Sequence, residues 1–317
     1  MKSLLTRKAS LIILTVVAAL SLAVFTTARA PLTVSASSRH VTIPQSGCCA
    51  VVYTHVATSA NTTANWTTLD NKATNNNPNA FVVVMPNRSG GTAIDNHPVG
   101  VWYDAMAGKW AVFNQDKSAM PVGAAFNVYA LSSTLPSGSQ AGAILTVATS
   151  SNSKANWTYI DSPITNGNPN AFVNATLNWN PGGKGGVYDA HPLGVWYDAT
   201  AQKWAIFNEG SMDPIPNGAS FNLLLDTSVI NGVFLQTATS TNTTGNHTDI
   251  DNTITNNNPN EVVFAMSNFN PAAQGGTYDA SNLGVYYHNG KWAIFNEDNA
   301  AMPAGAAFDV IASNVVS

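Results

Sequence analysis

Three near-copies of one segment govern how this chain can fold. HPVGVWYD at His97, HPLGVWYD at His191 and SNLGVYYH at Ser281 are each followed by KWAVFN or KWAIFN, at Lys109, Lys203 and Lys291. Each copy then closes with AAFNVY, ASFNLL or AAFDVI. Aligning the Asn-Pro-Asn turns on Asn79, Asn170 and Asn260 gives spacings of 91 and 90 residues. That is the size of a small domain and longer than most solenoid units, so the sequence predicts three tandem modules.

Within each copy the periodicity is that of strands. An apolar, Thr-rich run opens the copy, and an Asn-rich stretch ends in the Asn-Pro-Asn turn. A second apolar run follows, and the two repeated motifs then read as the arms of a hairpin. The expectation is an all-β protein of three antiparallel β-sandwiches or small barrels at residues 50–131, 143–226 and 232–317, joined by linkers at 132–142 and 227–231. PGGKGG at 181–186 lacks the spacing of a phosphate-binding loop and reads as a flexible connection. Both faces of the KWAVFN strand are apolar, which places Trp110, Trp204 and Trp292 in the core.

Residues 1–30 read as a secretory signal peptide. Lys2, Arg7 and Lys8 precede the apolar run Leu11 to Phe25, and Ala28-Arg29-Ala30 has the form of a cleavage site. Residues 31–49 follow as a leader. The signal holds four of the 13 basic residues and none of the 17 acidic ones, so nine against seventeen leave the secreted chain at −8. An acidic chain without basic stripes argues against nucleic acid and anionic membranes as partners. No other apolar run approaches the length of a membrane span. Only 9% of residues are charged, against roughly 25% in typical soluble domains, so the polar surface must come from Asn, Thr, Ser and Gly. That composition suits a secreted protein, extracellular or at the cell surface. Cys48 and Cys49 are adjacent and are the only cysteines; a strained vicinal disulfide, pairing between chains and buried thiols all stay open.

Polar residues kept in all three copies are the candidates for ligand binding: Asn79, Asn170 and Asn260; Asp95, Asp189 and Asp279; Asn114, Asn208 and Asn296. Trp102 and Trp196 join them, because they occupy the hairpin face opposite Val101, Tyr103, Val195 and Tyr197. Amides and carboxylates beside an aromatic ring suit a saccharide. The same oxygens suit calcium as a cofactor ion, although no Asp-rich calcium loop is present. They also suit the backbone of turns. Asp95 with His97, and Asp189 with His191, fall short of a zinc site, and Ser281 replaces the histidine in the third copy. The sequence contains neither G-x-S-x-G nor H-E-x-x-H, and Glu209, Glu261 and Glu297 stand in unmatched contexts. No catalytic residue, and so no enzyme, is expected.

The string NPNA, HPxGVWY, KWAIFN and MPxGAAFNV resembles a poorly characterised family of repeat modules in secreted and cell-surface bacterial proteins. The resemblance spans nearly all of residues 50–313 and implies an extracellular β-rich module without assigning an activity. The third copy departs from it at Ser281, Asn282 and Tyr286, and has His247 where Trp66 and Trp157 stand. The expected function is non-enzymatic surface attachment or recognition, with extracellular polysaccharide or a cell-surface component as partner. Repetition of a whole module favours such avidity. The alternatives are a structural envelope or matrix component and a secreted hydrolase, which needs two facing carboxylates.

Overall fold

The computed structural model describes residues 50–132, 141–210, 212–227 and 232–314. The signal segment, the leader, and Cys48 and Cys49 lie outside the described residues. In the first copy the strands are β1 (Ala50–Val56), β2 (Thr62–Thr63), β3 (Trp66–Thr68), β4 (Phe81–Pro86), β5 (Val99–Asp104), β6 (Lys109–Asn114) and β7 (Ala125–Leu131). The second copy repeats them as β8 (Ala141–Val147), β9 (Ser153–Lys154), β10 (Trp157–Tyr159), β11 (Phe172–Asn178), β12 (Leu193–Asp198), β13 (Lys203–Asn208) and β14 (Ser220–Asp226). The third repeats them as β15 (Val233–Thr237), β16 (Thr243–Thr244), β17 (His247–Asp249), β18 (Glu261–Asn268), β19 (Leu283–His288), β20 (Lys291–Asn296) and β21 (Ala307–Asn314).

Each copy is a sandwich of two antiparallel layers. In the first, β1-β7-β4 faces β2-β3-β6-β5. Every residue of β4 and β7 is buried, including the one polar side chain in β7, Asn127. Between the layers Trp110 packs with Val82, Val84, Val101, Val112, Phe126 and Val128. Its indole N–H must find an acceptor inside this core, and it donates to the Asn77 carbonyl at 3.0 Å. Trp204 and Trp292 donate in the same way to Asn168 and Asn258. The core tryptophan and the Asn-Pro-Asn turn recur together because one hydrogen bond joins them.

No copy closes into a barrel. The hairpin edge that would complete one is instead used by the neighbouring copy. β5 pairs in parallel with β11 at Gly100–Leu177 and Val101–Asn178. β12 pairs with β18 at Gly194–Ser267 and Val195–Asn268. The third hairpin returns to the first copy through a parallel bridge between Val285 and Asn87. The three sandwiches therefore dock in a closed cycle, the strands being antiparallel within copies and parallel between them.

Side chains repeat along these junctions. The amide of Asn180 lies against β5, accepting the Tyr103 N–H at 2.7 Å and donating to the Tyr103 carbonyl at 2.8 Å. Asn270 does the same to Tyr197, at 2.7 and 2.9 Å. At the closing junction Ser89 takes this place, and its hydroxyl accepts the Tyr287 N–H at 2.6 Å. Deeper in, Asn127 donates to the Val263 carbonyl and Asn222 to the Val82 carbonyl, each at 2.8 Å, whereas Asp309 accepts the Val173 N–H at 2.9 Å. Asn87, Asn178 and Asn268 brace these three side chains from behind.

The segment 181–186 is a built turn rather than a flexible connection. Gly182 and Gly183 both adopt positive φ, and a Cβ on Gly186 would fall on the Trp179 carbonyl. Backbone geometry favours glycine at 182 and 183 and demands it at 186.

Candidate functional site

The residues singled out by their recurrence separate into three places. Asn79, Asn170 and Asn260 stand exposed in their turns. The Asp and Asn series instead forms a buried pair in every copy. Asn114 donates to Asp95 at 3.0 Å, Asn208 to Asp189 at 3.1 Å and Asn296 to Asp279 at 3.0 Å. None of the six is more than 3% exposed, so burial removes them from contact with a surface ligand. Asn114 and Asn208 also donate to the carbonyls of Ser118 and Asp213, and Asn296 to that of Ala300, which ties down the loop after the hairpin. Burial pushes Asp95 and Asp279 up to about 6 against the opposing hydrogen bonds from Asn114 and Asn296, and raises Asp189 as well.

Two of the three glutamates do have matched contexts. Glu209 and Glu297 occupy the position of Gln115, directly after the paired asparagine, and all three are buried. The only signal in the sequence was their alignment one residue past KWAIFN.

At the centre of the cycle the signature motifs of all three copies meet. His97-Pro98-Val99, His191-Pro192-Leu193 and Ser281-Asn282-Leu283 line one concavity of about 90 Å³ together with β4, β11 and β18. His97 Nδ1 lies 2.7 Å from Asp116, and His191 sits between Asp189 at 2.9 Å and Asp213 at 3.2 Å. Asn282 crosses the closing junction to donate to the Asn96 side chain at 3.1 Å. His97 and His191 therefore brace the loops around the axis.

Trp102 and Trp196 are half-buried on the outer faces of the hairpins. Trp66 meets Trp102 edge to face at 5.6 Å, and Trp157 meets Trp196 at 5.7 Å. At the first junction the second copy extends this surface. Trp179 lies 6.4 Å from Trp102, and Tyr188, 40% exposed, lies 5.6 Å from Trp179. At the second junction Tyr278, 56% exposed, stacks on Phe269 at 4.3 Å, and both meet Phe207. Two of the three junctions thus present an aromatic face built by neighbouring copies.

One family model matches the chain three times, over residues 22–130, 106–213 and 194–312; its description is a domain of unknown function, DUF7452. The chain belongs to this family. The second and third DUF7452 segments begin inside the hairpin of the preceding copy; the third, from Gly194, takes in the residues of β12 that pair with β18, whereas the second, from Met106, begins past β5. No curated protein and no solved structure matches the chain. Among the described residues no helix is long and apolar enough to cross a membrane.

Proposed function

We propose that this protein is a secreted, non-enzymatic attachment protein that recognises extracellular polysaccharide or another cell-surface component through the aromatic faces of its junctions. The observation that carries this reading is the run Trp66–Trp102–Trp179–Tyr188, in which two copies contribute rings to one half-exposed surface. Aromatic rings partly open to solvent offer flat apolar faces, and a clustered apolar patch on a soluble protein marks a surface of contact. A comparable face at the next junction gives two weak sites on one rigid body, the arrangement from which avidity arises. The concavities at the axis and beside Lys154, about 90 and 180 Å³, are smaller than the roughly 300–1,000 Å³ of small-molecule pockets. Neither is lined by a carboxylate, which supports a surface role over hydrolysis.

A structural role in an envelope or matrix is the second reading. Lys117 sits over the Tyr188 ring at 4.9 Å and Lys154 over the Trp157 ring at 5.9 Å, covering ring faces that a sugar would use.

Glycan-array binding by the secreted chain, with and without calcium, separates the two. Saccharide binding that a folded Trp102→Ala/Trp196→Ala variant loses supports attachment through these faces. Binding that survives the double substitution contradicts attachment through these faces, and no binding to any glycan contradicts polysaccharide as the partner.

A further inference from the structure

At the third hairpin metal-ligating groups stand among the rings: Tyr286 keeps the place of Trp102 and Trp196 and meets both His247 and His288. Strand register makes His247 the counterpart of Trp66 and Trp157, each opposite the phenylalanine of its KWAVFN or KWAIFN strand. Asp249 is likewise the counterpart of Thr68 and Tyr159, and His288 of Asp104 and Asp198. The two earlier copies therefore carry neither histidine.

A change in turn length accompanies the exchange. Asp104 caps the turn of its hairpin, accepting the Met106 and Ala107 N–H groups at 2.9 and 3.1 Å, and Asp198 caps its own turn in the same way. The third hairpin is two residues shorter and turns on Asn289 and Gly290, both at positive φ, as a two-residue loop requires. With no longer turn to cap, the side chain at 288 lies across the sheet toward β17.

We propose that His247, Asp249 and His288 bind one divalent transition-metal ion of the zinc type, with a further coordination position open to solvent. One ligand atom from each residue lies within 4.8 Å of the other two. His288 Nε2 is 2.8 Å from Asp249 Oδ1, and His247 Nε2 is 3.7 Å from the same oxygen. Bonds of about 2.0–2.1 Å in tetrahedral geometry place donors roughly 3.3 Å apart, a value the two observed separations bracket. The side chains are 17%, 34% and 25% exposed, open enough for an ion to enter and enclosed enough to hold their rotamers. Two imidazoles and one carboxylate suit zinc, copper, nickel or iron, whereas calcium and magnesium want oxygen ligands throughout. The surroundings orient the donors: the Tyr286 ring stacks on His288 at 4.7 Å, and the Asn289 side-chain amide lies 3.3 Å from His288 Nδ1. A metal on Nε2 leaves the imidazole proton on Nδ1, so the Asn289 amide, whose nitrogen faces Nδ1, must turn to present its oxygen as the acceptor.

The inference does not rest on the attachment reading. Its test is calorimetric titration of the untagged secreted chain with Zn²⁺, alongside visible spectroscopy with Co²⁺. A Cys48→Ser/Cys49→Ser background removes the adjacent thiols as ligands. The variants are His247→Trp, which installs the residue the other copies fold with, and His288→Asn. The expected result is one Zn²⁺ per chain, tetrahedral Co²⁺ bands, and an affinity loss in both variants larger than the roughly 10–100-fold of an outer-shell substitution. The metal-free melting temperature of His247→Trp stays near that of the parent, and His97→Gln and His191→Gln bind as the parent does. No one-to-one binding, or binding of equal strength in both site variants, would overturn the proposal.

Discussion

Glu209 reaches out of its own repeat and accepts the backbone N–H of Asp279 at 2.8 Å. Gln115 makes the same contact with Asp189 at 3.1 Å, and its Nε2 also donates to the Val99 carbonyl. By register the equivalent carbonyl in the second copy belongs to Leu193, and a carboxyl can donate to it only when protonated. Burial acts in that direction, pushing Glu209 up to about 7 against the opposing Asp279 N–H bond, and Glu297 well above the ordinary range.

Glu209→Gln keeps the N–H bond, adds a donor for the carbonyl and removes a buried acid. The expected gain in unfolding free energy is about 2–3 kcal/mol at pH 8 and near zero at pH 4. Urea denaturation at the two pH values measures it. A loss at pH 8 would show that the carboxylate itself is needed.

Stability should fall as pH rises from about 4 to about 7. Burial raises Asp95 and Asp279 to about 6, and Glu209 and Asp309 to about 7, from unfolded values of 3.8 for aspartate and 4.5 for glutamate. Between those limits the folded chain holds protons that the unfolded chain has released. Their contribution is therefore complete below pH 4 and is lost through the folded values. Asp70, held down first by Lys109, and Asp161 and Asp251, held down first by Asn166 and Asn256, act in the opposite sense. These three are exposed, so solvent screens them and their effect is weaker; burial lowers His55 to about 4 and also opposes the trend between about pH 4 and 6.5, as one group against the four raised carboxyls. A urea midpoint that climbs from pH 4.5 to pH 8 would contradict the assignment.

Much of this was legible in the residues, and the reasons for the rest are physical. The spacing of Asn79, Asn170 and Asn260 revealed the copies, and the two apolar faces of KWAVFN placed Trp110 in the core, where it is fully enclosed. The closure of the cycle was not legible. It depends on Ser89, Asn180 and Asn270, which sit in Gly- and Pro-rich segments where an asparagine or serine reads as a local turn residue. Recurrence drew attention to Asp95 and Asn114 as ligand-binding candidates but carried no information on burial, which separates a ligand-binding amide from a structural one. His247 and His288 lie 41 residues apart, and only the register of β17, β20 and β19 brings them together.

Asp309→Asn installs the residue found at Asn127 and Asn222, yet it should destabilise at pH 5. Both neighbours, the Val173 N–H and the Asn268 amide, donate to this side chain, and an amide nitrogen facing one of them leaves a buried donor unpaired. The expected cost is about 1–3 kcal/mol. Above pH 7 the variant also escapes the burial of a charged carboxylate, so the deficit narrows or reverses by pH 8. Equal stability at pH 5 would mean that the Val173 contact carries no weight.

Ala272 and Ala273 hold positive φ where the second copy has Gly182 and Gly183. A left-handed alanine costs about 1–2 kcal/mol, partly offset by the greater chain entropy of glycine, so Ala273→Gly is expected to gain about 0.5–1 kcal/mol. Thermal melting of the single variant checks this, and a lower melting temperature would contradict it.

The attachment reading presupposes that the copies form one body, since its principal aromatic face spans a junction. Differential scanning calorimetry of the chain lacking residues 1–30 and of its Asn180→Ala variant, which leaves the Tyr103 N–H and carbonyl without their side-chain partner, tests this most directly. A closed cycle predicts one transition whose calorimetric and van't Hoff enthalpies agree, shifted as a whole to lower temperature by the single substitution. Separate transitions, with only one of them moved by Asn180→Ala, would show that the three sandwiches fold independently.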